Sequence, residues 1–241
     1  MAPPPRRRPA HVLDWRGMRV LAIDTSTLAG GVALVDGERT VAEYLLDIRL
    51  THSERLMPAV DRVMADAGWR PEELRGLAVA VGPGSFTGLR IGVGAVKGLA
   101  LALGLPIAAV PTLDALAASL PGAALPVCAV VVARRQEVYA SLYRWHGTAM
   151  RREWEYLALS PGALVERLQE PVMLVGEGAS LIDSPLAHPA PPWRAQVSVA
   201  AVGHLGVQQL RAGHTVDPAE LVPLYVGPSQ AELKRRGVTR A

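Results

Sequence analysis

One cysteine and one phenylalanine stand among 241 residues. A lone Cys128 permits neither an intramolecular disulfide nor a cysteine-based zinc site. It lies in the apolar run 127–132 and reads as a small core residue, in keeping with a reducing compartment. The opening Met-Ala-Pro-Pro-Pro-Arg-Arg-Arg-Pro has charge but no apolar segment after it, so it lacks the form of a secretory signal. Its prolines favour an extended chain, and Met18, just before the first strand-like run, is an expected alternative start. The apolar stretch 91–110 holds Lys97 and is broken at Gly104-Leu105-Pro106. Its helical part, 91–103, is expected to span about 20 Å, less than the ~30 Å hydrocarbon layer of a membrane. No His-Glu-x-x-His is present, because position 56 is Leu, and none of the six histidines pairs at helical spacing. Ser26, Ser53 and Ser85 lack a Gly-x-Ser-x-Gly setting, so no hydrolase triad can be placed.

Half of the chain is apolar. This length suits one large domain or two small ones, burying about 70–75% of the unfolded surface. The net charge of +3 sits at the ends: residues 1–19 and 234–241 carry +4 each, leaving −5 on the body. A basic pI therefore does not make the body a nucleic-acid surface. Short basic tails are more often solvated than binding arms.

The apolar pattern predicts strands at 19–25, 31–35 and 40–46, with Asp36-Gly37 as a hairpin turn. A helix over 53–67 follows, capped by Thr51 or Ser53, then a doubly buried strand at 76–81 and a Gly/Ala-rich helix over 86–103. A short strand at 107–110 and a helix capped by Thr112 complete the first half. Strands at 126–133, 137–145 and 149–158, a helix over 161–168 capped by Ser160, a strand at 172–175 and a helix over 199–211 repeat that order, with a Pro-rich loop at 187–193. The expected organisation is an extension (1–18), a first lobe (19–120), a second lobe (121–225) and a basic tail (226–241). Two βββαβα lobes of this kind would place a cleft between them.

Three segments are candidates for chemistry. Val81-Gly82-Pro83-Gly84-Ser85-Phe86-Thr87-Gly88-Leu89-Arg90-Ile91-Gly92 follows a strand and opens a helix, the setting of an anion site. It lacks the Gly-Lys-Ser/Thr of a P-loop and the glycine spacing of a dinucleotide fold. Gly84, Gly88 and Gly92 instead lie on one helix face, continued by Ala95 and Leu99. Glycine inside a helix costs about 1 kcal/mol against alanine, so this stripe implies close backbone packing, internal or with a partner. Its favoured reading is an interface shared with the 53–67 helix. Asp24-Thr25-Ser26 ends the first strand, where an acid can hold a hydrated metal or simply cap the turn. Gly176-Glu177-Gly178 can hold an adenosine against backbone or mark only a tight turn. His52-Ser53-Glu54 reads as helix capping.

Leu21-Ala22-Ile23-Asp24-Thr25-Ser26-Thr27, His52-Ser53-Glu54-Arg55-Leu56-Met57-Pro58, the 82–92 string and Lys97-Gly98-Leu99-Ala100 resemble the bacterial TsaB (YeaZ) family, over about residues 18–225. Ala133-Arg134-Arg135-Gln136-Glu137-Val138-Tyr139 and Val175-Gly176-Glu177-Gly178 are supporting matches. The resemblance implies an α/β, actin/Hsp70-like (ASKHA) duplicated RNase H-like fold. It implies a non-catalytic subunit in the formation of threonylcarbamoyladenosine beside the anticodon of tRNAs reading codons that begin with A. The partners implied are a TsaD-like catalytic paralogue and a TsaE-like ATPase, with tRNA met only through the complex. Self-pairing as a homodimer when alone, a cytoplasmic setting, and no membrane, metal or cofactor of its own are also implied. The partner surface then falls on the 53–67 and 86–103 helices: Leu56, Met57, Val60, Val63, Met64, Gly84, Gly88, Arg90, Ile91, Gly92, Ala95 and Leu99. Asp24, Thr25, Ser26, Gly176 and Gly178 become a vestigial nucleotide site.

Two departures from the family pattern matter. Val132-Ala133-Arg134 stands where relatives commonly have Asp-Ala-Arg, and a valine cannot hold a hydrated metal. Pro223-Leu224-Tyr225-Val226-Gly227 replaces a common Pro-x-Tyr-Leu-Arg. The alternative functions are an ATP-dependent phosphotransferase, which needs a second acid facing Asp24, a metallopeptidase-like enzyme, which needs a metal pair, and a general RNA-binding module.

Overall fold

A computed structural model describes residues 17–47, 52–134 and 136–226. Most of the expected extension and tail, the Thr51 cap, and Arg135 lie outside the described residues.

The first sheet opens with β1 (Arg19–Asp24), β2 (Gly30–Asp36) and β3 (Arg39–Leu46). They run antiparallel through a hairpin in which Gly37 takes a φ of 63°. α1 (His52–Asp66), β4 (Gly76–Gly82), α2 (Phe86–Leu103), β5 (Ile107–Pro111) and α3 (Thr112–Ala118) follow. β4 and β5 join in parallel, giving the order β3-β2-β1-β4-β5. β4 is buried at every position, because helices cover both faces of the sheet.

The second sheet repeats that order. β6 (Val127–Val132), β7 (Val138–His146) and β8 (Ala149–Arg152) are antiparallel. β9 (Leu157–Leu159) also pairs with β7. The single strand expected at 149–158 is thus broken in two. At the break, the amides of Glu153 and Trp154 both donate to the Leu142 carbonyl, and Ser141 Oγ donates to the Trp154 carbonyl. α4 (Pro161–Arg167) follows, capped by Ser160, whose hydroxyl accepts the Ala163 amide at 3.2 Å. β10 (Val172–Val175) and β11 (Ala187–Pro189) add in parallel, giving β11-β10-β6-β7-β8. β11 lies where the Pro-rich run suggested a loop. It is an edge strand, a position that proline tolerates. α5 (Val199–Arg211) closes the chain's regular structure. Where the first half has α2, the second has only a 3-10 turn, Glu177–Leu181.

Strand alternation divides the interior into three. Leu21, Ile23, Leu77 and Val79 point toward α1 and α2. Cys128, Val130 and Leu174 point toward α4. Burial pushes the Cys128 thiol up to about 12, so it packs as an inert apolar group. Val20, Ala22, Ala78 and Ala80 from one sheet meet Val127, Ala129 and Val131 from the other, with α3 and α5 among them. The two helices are exchanged: α5 lies on β1, β2, β4 and β5, whereas α3 reaches β6, β7 and β8. Thr112 does not cap α3. It is the first helical residue, preceded by Pro111, and its buried hydroxyl has no hydrogen-bond partner among the described residues.

α2 has 18 residues, about 27 Å of helix. It begins five residues before the 91–103 segment considered for membrane crossing, so it is long and apolar enough to pass such a test. In the fold, Leu89, Val93, Val96 and Ala100 form a buried face toward β4.

Two cross-links give testable consequences. Asp114 Oδ1 on α3 accepts the hydroxyls of Tyr143 (2.7 Å) and Tyr156 (2.8 Å). Burial, then the charge of Asp114, raises both phenols above their usual range. Asp114→Ala leaves the buried Tyr143 hydroxyl without its acceptor, and denaturant melts should show a loss of about 1–3 kcal/mol. His204 on α5 lies with Nε2 2.9 Å from Thr40 Oγ1, and burial holds it below its ordinary 6.5. The folded state thus resists protonating His204. Its stabilising effect is complete above 6.5 and is lost as pH falls below that value. Between about pH 7.5 and about pH 5.5, the melting temperature should fall more for the wild type than for His204→Gln.

Candidate functional site

The C-terminal end of β1 carries the turn expected to matter for chemistry. Asp24 is fully buried, and its Oδ1 accepts the Ser26 amide at 2.8 Å. Thr25 Oγ1 donates to the Gly88 carbonyl at 2.7 Å, and the Ser85 amide donates to the Ser26 carbonyl at 2.7 Å. Ser85 caps α2, its hydroxyl accepting the Gly88 amide at 3.3 Å. These bonds draw the turn onto the first two turns of α2.

The glycine stripe is what admits it. A Cβ at Gly84 would stand 2.1 Å from the Ser26 carbonyl oxygen, and one at Gly88 2.0 Å from that of Thr25. At Gly92 it would stand 2.4 Å from Thr25 Oγ1. The notch expected to receive a partner's backbone therefore receives the chain's own turn. Gly84, Gly88 and Gly92 act in internal packing.

The other half of the expected nucleotide site is built the same way. A Cβ at Gly176, whose φ is 110°, would lie 2.2 Å from the Val130 carbonyl oxygen, and one at Gly178 2.7 Å from Val130 Cγ1. Both glycines let the 3-10 turn lie against β6. Glu177 between them accepts the Val132 amide, and partial burial raises its carboxyl above the usual range. Val132, at the end of β6, is 43% exposed. Among the described residues no three of His, Cys, Asp and Glu gather as a metal site. A cavity of about 580 Å³ lies elsewhere, between Leu142, Trp154, Leu168 and Val172 beside α4.

The residues expected at a partner surface separate by face. Leu56, Val60, Val63 and Met64 turn inward from α1 and pack with Leu21, Ile23, Val32 and Leu34. Met57 is 40% exposed and Arg90 is exposed, while Ile91, Ala95 and Leu99 are half-buried. A second stripe on α2 joins Arg90, expected at the partner surface, to four residues that the sequence reading left out. Phe86, Arg90, Gly94, Gly98 and Leu101 recur at helical spacing, and all are exposed, Leu101 by 74%. Nothing lies within 4 Å of a Cβ built on Gly94 or Gly98. The signal was in the spacing: Gly94 is two residues past Gly92, about 200° around the helix, so the two glycine pairs cannot share a face.

The two stripes predict opposite outcomes for the same substitution. Gly88→Ala forces the Thr25 carbonyl aside and should lower stability by more than about 2 kcal/mol. Gly94→Ala meets open space and should raise stability by about 0.5–1 kcal/mol. Denaturant midpoints of the two purified variants check both.

Comparison with known proteins agrees with this geometry. The family model described as TsaD, tRNA N6-adenosine threonylcarbamoyltransferase, matches residues 48–228. A Bacillus subtilis protein named tRNA threonylcarbamoyladenosine biosynthesis protein TsaB is 37% identical over 167 residues, covering 68% of this chain and 73% of that protein. The Escherichia coli protein of the same name is 38% identical over 161 residues, covering 64% and 67%. The solved structure of YeaZ from Pseudomonas aeruginosa superposes with a TM-score of 0.75 at 30% identity, covering 86% of this chain and 99% of that one. By sequence and by fold, this chain belongs to the TsaB (YeaZ) family.

Proposed function

We propose that this chain is a non-catalytic subunit in the formation of threonylcarbamoyladenosine in tRNA, and that it works by pairing with a TsaD-like transferase. The observation that carries this reading is the match to TsaB proteins along most of their length. The packing supports it: the β1 turn fills the glycine notch, and the end of β6 presents an exposed valine, Val132, which cannot hold a hydrated metal. The repeated strand order supports an actin/Hsp70-like, duplicated RNase H-like architecture with lobes over 19–120 and 121–225. The exchange of α3 and α5 joins those lobes.

The partner surface in this reading is the outer side of α1 and α2. Met57, Arg90, Ile91, Ala95 and Leu99 are retained from the sequence, and Phe86, Gly94, Gly98 and Leu101 join them. Leu101, the most exposed large apolar residue on α2, has no internal role to explain it. Bare glycines beside it let a facing helix approach closely. A TsaE-like ATPase joins the pair, tRNA is met through the complex, and the isolated chain self-pairs over the same surface. The setting is the cytoplasm.

Leu101→Asp provides the test. The variant should stay folded, losing about 1 kcal/mol, because the position is exposed and the cost is confined to helix propensity and the charge at the helix end. Its affinity for the cognate transferase should fall at least about tenfold, read by titration and size exclusion. Wild-type chain that forms no complex, or cells depleted of it that keep the modification, would overturn the reading.

A further inference from the structure

The chain's single phenylalanine, Phe86, sits at the first position of α2 with 38% of its surface exposed. Two guanidiniums lie over it. Arg90 Cζ lies 3.9 Å from the ring centroid, and Arg134 Cζ lies 5.6 Å from it. Tyr225 completes the group, its ring 5.7 Å from that of Phe86 at 32° and half exposed. The four residues come from three places: α2, the turn after β6, and the C-terminal segment. That segment is held by the Leu224 amide donating to the Val81 carbonyl at 2.7 Å.

Neither Arg90 nor Arg134 has an ion pair among the described residues. Both are exposed. An arginine stacked on a ring keeps its N–H edge free, and that edge matches a carboxylate or a phosphate in bidentate fashion. Holding the guanidinium over the ring also removes part of the entropy that a free side chain would lose on binding. Two prepared cations with no ion pair among the described residues, beside two exposed rings, have the composition of an interface hot spot.

We infer that Arg90 and Arg134, held on Phe86, form a receptor for carboxylate side chains of the transferase partner. The inference rests on the pairing proposed above and names the chemistry that recognises the partner. Charge complementarity favours an acidic protein surface. Phe86 and Arg90 begin the same α2 stripe that runs through Gly94 and Gly98 to Leu101, so one partner surface can cover all five. An RNA strand is the less suitable occupant, because the body carries −5 and the cluster offers two cations among the described residues. Arg134 comes from the second half of the chain, so a partner bound here touches both halves.

The experiment titrates the full-length chain against the cognate transferase, with tRNA affinity of the assembled complex measured separately. Arg134→Glu and Arg90→Glu should each weaken the protein pair by about tenfold to a hundredfold, with the loss shrinking as salt rises. Arg134→Ala should lose less, and Arg134→Lys should restore part of it. Thermal melts confirm that each variant is folded, as expected for exposed positions. Wild-type pairing with Arg134→Glu bound equally well overturns the receptor and leaves the proposed function standing. Unchanged protein pairing with weakened tRNA binding overturns it in favour of an RNA phosphate. A wild type that does not pair at all overturns both.

Discussion

The seating of the β1–β2 turn in the notch of α2 organises this half of the molecule. Thr25 Oγ1 on the Gly88 carbonyl, with the Ser85 amide on the Ser26 carbonyl, ties a strand end to a helix start. No side chain larger than a hydrogen fits at Gly84, just before the helix, or at Gly88 and Gly92 within it. Because the turn is immobilised there, α2 takes a defined angle over β4. Its opposite side is then held outward as a rigid surface. The internal glycines thus set the orientation of the exposed ones, and the proposed pairing depends on that arrangement.

Much of the fold was legible because its pattern is local. Asp36-Gly37 marks its hairpin, Ser160 its helix, and α2 runs over the residues that its apolar spacing predicts. The departures have physical causes. β8 and β9 separate where two amides converge on one carbonyl, a bulge that apolar alternation does not reveal. β11 contains proline, which is a strand breaker except at an edge, and edge position is a property of the whole sheet. The exchange of α3 and α5 between sheets is a tertiary fact with no local signature.

The site was legible in its composition and misread in its direction. Gly84, Gly88 and Gly92 do mark a close backbone approach, as their spacing requires. Sequence could not say whose backbone arrives. Leu56, Val60, Val63 and Met64 are apolar at helical spacing, and such a stripe equally describes a face turned to the core or to a partner. Here it is the core. The Phe86, Arg90, Arg134 and Tyr225 group was unreadable, since its members lie up to 139 residues apart and meet only through the sheet topology.

α2 carries Gly88, Gly92, Gly94 and Gly98 within its 18 residues. At about 1 kcal/mol each relative to alanine, that sequence has little tendency to coil up by itself in water. The segment holds its helical shape through docking against β4 and the Thr25 turn, so loosening that contact would unwind the helix rather than leave it standing by itself.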